Sequence, residues 1–156
     1  MANPSNSAQM QLIESVAMKL QMKTRALSVR GERDLAVTLA NIIRGQYDAT
    51  VILADGFLAA NYSRIAERMI QSGVPSIAPI RQFPKEGGLL SYGADPLALW
   101  RQCASYADKI LRGAKPGDLP IEQPTKFELV VNLKTAKALG ITIPQSIMLQ
   151  ADEVIR

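Results

Sequence analysis

"ATVILADGFLAANYSRIAERMIQSGVPSIAPI", residues 49–80, is the stretch on which the fold turns. Its first seven residues form a short, nearly continuous apolar run, the composition of a strand buried on both faces. Leu58 to Gln71 then places Tyr62, Ile65, Met69 and Ile70 on one helical face. Gly73 and Pro75 end that helix, and "PSIAPI" reads as a second strand. Strand, helix and strand in this order need a crossover, so the two strands run parallel.

The same alternation extends in both directions. Upstream, the cap-rich "NPSNS" precedes a helical stripe of Leu12, Ile13, Val16, Ala17 and Leu20. Met22 to Val29 alternates like a strand, and Glu32 to Arg44 sets Leu35, Leu39, Ile42 and Ile43 on a helix face. Downstream, "GLLSYG" and "KFELVVNL" read as strands flanking a long helix from Asp95 to Arg112. The expected fold class is therefore α/β: three layers, with a mainly parallel sheet and helices on both faces. At 156 residues the chain is expected to form a single domain, residues 1–156.

Composition narrows the chemistry. There is no histidine, which removes the usual general base and the usual metal ligand, so no catalytic residue and no metal ligand is assigned. The single cysteine, Cys103, falls on the apolar stripe Trp100, Cys103, Ala104, Ala107, Ile110 and Leu111 and reads as a buried small hydrophobe. Glycines 87 and 88 precede a strand, whereas phosphate-cradling glycines follow one, and neither nucleotide fingerprint occurs. No cofactor is expected. A net charge of +4 spread along the chain, with 5% aromatic residues, reads as a solvated surface rather than a nucleic-acid footprint. No segment is long and apolar enough for direct membrane insertion. The start "MANPSNSAQMQ" has neither a basic nor an apolar signal region.

In a parallel sheet, ligands bind where strand C-termini meet loops and helix N-termini. Four segments qualify: "NPSNS", "ADGF", "PIRQF" and "SYGAD". Ser5, Asn6 and Ser7 offer a seat for a carboxylate or phosphate beside free helix amides, or act as ordinary N-caps. Asp55, followed by Gly56, either binds an amine or hydroxyl or closes an Asx-turn. Tyr92, before Gly93, either stacks on a ligand or covers the sheet edge.

The run "EGGLLSYGADPLALWRQCASYADKILRGAKPGDLPIEQPTKFELVVNLKTAKALGITIP" closely resembles the C-terminal part of ABC-transporter substrate-binding proteins that include tryptophan and other aromatic amino-acid binders. "NPSNSAQMQLIE", "LSVRGERDLAVTLANI" and the opening stretch resemble the same family in the same order. The resemblance implies one lobe of a type I periplasmic binding protein, whose two α/β lobes close on a small ligand without catalysis. By the same resemblance, the chain is expected to be the second lobe alone, with Asn3-Pro4 ending its otherwise absent first strand. An amino-acid-like ligand is implied, its carboxylate near Ser5, Asn6 and Ser7, its amine or another polar group at Asp55, and Tyr92 and Gly93 lining the cleft.

An ABC permease is the partner implied, at a periplasmic or membrane-anchored site. The chain as given lacks a signal, which leaves a cytoplasmic location open. The alternative is the ligand-sensing domain of a transcriptional regulator of the same architecture, with a flavodoxin-shaped enzyme as the weakest option. In related sensor domains the helix matching 95–112 crosses to the other lobe. That analogy predicts an exposed apolar face here, and a homo-oligomer that buries it.

Overall fold

The computed structural model describes residues 5–156. Asn3 and Pro4, with the strand ending assigned to them, lie outside the described residues. The chain forms α1 (Ser5–Lys19), α2 (Glu32–Asn41), β1 (Thr50–Val51), α3 (Gly56–Ala59), α4 (Tyr62–Ser72), β2 (Ser76–Ala78) and α5 (Gln82–Lys85). It continues with β3 (Leu90–Ala94), α6 (Pro96–Leu111), β4 (Phe127–Asn132), α7 (Leu133–Leu139), α8 (Gln145–Gln150) and β5 (Glu153–Ile155).

One five-stranded sheet runs in the order β1-β2-β3-β4-β5. All neighbouring pairs are parallel except β3 and β4. The result is the expected α/β architecture with a mainly parallel sheet. The reversal at β4 has a geometric consequence: the C-terminal ends of β1, β2 and β3 share one end of the sheet with the N-terminal ends of β4 and β5.

The helix expected over 58–71 is two helices. Asp55 caps a first short one, its Oδ1 accepting from the amides of Phe57 at 2.8 Å and Leu58 at 3.1 Å. Asn61 then interrupts it, because its side-chain amide donates to the Phe57 carbonyl at 2.9 Å and so competes for a helical acceptor. The chain tightens, with Asn61 N–H donating to the Leu58 carbonyl, before α4 restarts at Tyr62. Gly73, at φ +67°, ends α4 in a left-handed cap, and Val74 donates back to Met69.

The expected strand over Met22–Val29 is absent. Those residues have no regular secondary structure and belong to no ladder, and apart from partly buried Val29 their side chains are exposed. A strand is held by a paired neighbour and a buried face, and this segment has neither among the described residues. The main core joins Leu35, Leu39 and Ile42 of the α2 region to Tyr62, Ile65 and Met69 of α4, and to Phe83 of α5. A smaller cluster of Leu89, Ala136 and Leu139 seats α7. α1 contributes to neither cluster, and Leu12, Val16 and Met18 on it are exposed.

Cys103 is exposed, which corrects the reading of it as a buried hydrophobe. Helical periodicity identified its face but could not supply a neighbour to cover it.

Candidate functional site

The shared end of the sheet collects charge. Asp55 lies beyond β1, Arg81 beyond β2, and Gly93 and Ala94 finish β3. Through the antiparallel register, Gly93 pairs with Glu128 and Ala94 with Phe127, while β5 brings Glu153 opposite Val130. Arg81 reaches across β3 to both carboxylates: its Nη1 is 3.3 Å from Glu128 Oε2, and its Nη2 donates to Glu153 Oε2 at 2.5 Å. Lys85 Nζ completes the group at 3.4 Å from Glu153 Oε1. Burial pushes the Glu153 carboxyl up, but Arg81 and Lys85 outweigh it and hold the group below its ordinary value. Two atoms here are buried without a hydrogen-bond partner, Arg81 Nε and Glu128 Oε2.

A second charged pair roots α6. Asp95 is 2% exposed; its Oδ1 accepts from the amides of Leu97 and Ala98, and its Oδ2 accepts from Lys126 Nζ at 2.8 Å. The ammonium is the chief reason its carboxyl is held below the usual range, with the two amides adding to the effect. A groove of about 700 Å³ opens beside this pair, between α6 and residues 122–126, lined by Asp95, Leu99, Gln102, Glu122 and Lys126 among others.

Of the seven residues expected at the site, the topology brings four to one sheet end: Asp55, Gly56, Tyr92 and Gly93. Asp55 engages backbone amides, so the turn-closing role is present, and its Oδ2 is not used in the cap. Tyr92 is 56% exposed and stacks on Phe127, with ring centroids 5.8 Å apart and planes 19° apart. Ser5, Asn6 and Ser7 form the first turn of α1, where helix amides are unpaired within the helix. Asn6 Oδ1 is buried and has no hydrogen-bond partner among the described residues. None of the seven lines the groove beside Asp95.

Glu128 and Glu153 were not foreseen at the strand ends. Hydrophobic periodicity shows that a strand exists but not its direction, and an antiparallel β4 puts its first residues where a parallel strand would put its last. β5 was too short to be recognised. Arg81 was visible only as part of "PIRQF".

Among the described residues no helix is long and apolar enough to cross a membrane. Residues 1–155 match the family described as ABC transporter substrate binding protein. None of the curated proteins matches the chain. Among solved structures, a conserved domain protein from Vibrio cholerae is similar at 25% identity and a TM-score of 0.88, over 97% of this chain and 52% of that one. The ABC domain in complex with L-Trp from Streptococcus pneumonia is similar at 25% identity and 0.84, over 96% and 52%. A ligand-free, open substrate-binding protein with adhesive properties from Clostridium difficile matches at 19% identity and 0.73, over 99% and 52%. The chain thus spans about half the length of the solved structures it matches.

Proposed function

The chain belongs to the ABC transporter substrate-binding protein family, and from that premise we propose that it is a solute-binding lobe for a small amino-acid-like molecule, acting without catalysis in an ABC import system. The similarity to a domain whose structure was determined with L-Trp carries the ligand class. The sheet end and, separately, the first turn of α1 carry groups suited to that ligand. The first turn of α1, at Ser5, Asn6 and Ser7, takes the carboxylate on its free amides. Asp55 takes the ammonium, and the exposed Tyr92–Phe127 stack, beside Gly93, offers an aromatic face to an apolar side chain. The permease and an extracytoplasmic location follow from the family and belong to this reading.

Calorimetric titration of the chain with the L-amino acids tests it. Saturable heat with an aromatic member, weakened by Asp55→Asn, is the expected result. No heat from any amino acid overturns the ligand class.

A further inference from the structure

The ladder between β2 and β3 ends at Ala78 and Ser91. Past it the chain does not stay over its own strand: the Pro79 carbonyl stands where a Cβ of Gly93 would be, so residues 79–81 form a strap over the end of β3. Arg81 carries the tie farther in the same direction, to Glu128 on β4 and Glu153 on β5. In the sheet order, β3, β4 and β5 all lie on the side of β2 away from β1, the strand that Asp55 follows. The strap is thus drawn away from Asp55. The Glu128 side chain is 13% exposed and that of Arg81 32%, and one guanidinium spans two strands, a more fixed arrangement than a solvated surface pair.

The lean matters for what can lie on the sheet end. β1 and β3 are two strand spacings, roughly 10 Å, apart. A ligand that meets Asp55 with its ammonium and Tyr92 with its side chain must cross the end of β2, where a strap that did not lean would stand. Side chains alternate along a strand, so Glu128 and the strap share the Gly93 face, and the Tyr92–Phe127 stack lies on the other. The aromatic face is left free. Two carboxylates against Arg81 and Lys85 make the cluster neutral, so it acts on a ligand through geometry rather than net charge.

Resting on the reading of this sheet end as a ligand site, we propose that Arg81 is a positioning residue of that site. Held by Glu128 and Glu153, it keeps the strap over β3 and the end of β2 clear for a ligand that spans Asp55 and Tyr92.

Two measurements on the chain test this, with circular dichroism confirming that each variant is folded. The first needs no ligand. Pro79 Cα is 3.3 Å from the place of a Gly93 Cβ, so a nuclear Overhauser contact between the α-protons of Gly93 and Pro79 is expected in wild type and is lost in Arg81→Met. The second is calorimetric titration with the aromatic L-amino acids. Arg81→Met weakens binding about tenfold, within the coupling range for groups of one ion-pair network. Arg81→Lys, which keeps the charge without the fork, loses less. In Glu128→Gln with Glu153→Gln, where the clamp is already gone, Arg81→Met adds little. A tenfold loss that persists in that background means that Arg81 touches the ligand itself and overturns the proposal, as does a Gly93–Pro79 contact unchanged in Arg81→Met. Wild type that binds no aromatic amino acid overturns the ligand reading and the role in binding with it; the Gly93–Pro79 contact still decides by itself whether Arg81 holds the strap.

Discussion

The α-carbon of Gly93 lies against the carbonyl of Pro79, so closely that a Cβ there would stand 1.9 Å from that oxygen. The close approach brings the exit of β2 over the end of β3. Because Gly93 pairs with Glu128, β3 separates the strand exit that carries Arg81 from the strand that carries Glu128, and the Arg81 side chain reaches across it. Gly93→Ala must therefore move main chain, not a flexible side chain. It is expected to destabilise the fold by about 3 kcal/mol, toward the upper end for overpacking. Urea denaturation checks this: the midpoint should fall with the slope unchanged.

Asp95 gives the fold an acid-sensitive joint. Lys126 and the first amides of α6 hold its carboxyl below its ordinary value. A group with a depressed native pKa binds its proton less readily in the folded chain than in the unfolded one. Its contribution is therefore full above about pH 3.9 and fades as the pH falls through the lower native value. Asp95→Asn keeps a capping oxygen but loses the charge. Thermal melts should show the variant less stable at neutral pH, and the gap should close in acid. A gap that stays constant down to the acid transition would contradict this account.

Asp55 has two separable jobs, one observed and one proposed. Its Oδ1 caps α3, and Asp55→Ala should cost about 1 kcal/mol through the lost cap. Asp55→Asn retains a capping oxygen and should leave stability within a few tenths of a kcal/mol. If the carboxylate receives a ligand ammonium, the same Asn variant weakens binding by about tenfold or more, the usual loss for a charged hydrogen bond. Equal affinity in Asp55→Asn and wild type would reduce Asp55 to a cap.

Much of this layout was legible from residues alone. Apolar runs located β1 to β4, and cap residues and glycines bounded α4 and α6. Met22–Val29 was over-read because alternation describes a side-chain pattern, whereas a strand also needs a partner to bond. β5 was missed because Glu153, Val154 and Ile155 are too few to show a period. The site suffered from the same limits. Asp55, Tyr92 and Gly93 follow or finish strands whose direction the crossovers fixed, so their place at the sheet end was legible. Glu128 begins a strand that runs the other way and was not.

Arg81 is the keystone of the charged sheet end, and its loss should have a pH signature. In Arg81→Met, Glu128 and Glu153 lose the guanidinium that both contact, while Lys85 stays paired to Glu153. Glu128 is the more buried carboxylate, its side chain 13% exposed, and it loses the only salt-bridge partner it has among the described residues. The expected cost at neutral pH is about 2 kcal/mol, that of a hydrogen bond to a charged group. In the native protein Glu153 sits below its ordinary pKa, so its contribution is lost as the pH falls through that lowered value. Removing Arg81 takes away the main attraction that lowers it, while burial, which raises it, remains. The gap between wild type and variant should begin to narrow near about pH 4.3, the ordinary glutamate value, and close only as the pH falls through the lower native value of Glu153. Arg81→Lys, which keeps the charge but cannot fork to two carboxylates, should fall between them. Urea midpoints measured from pH 7 downward decide the matter; parallel curves would mean that Arg81 acts through packing rather than charge.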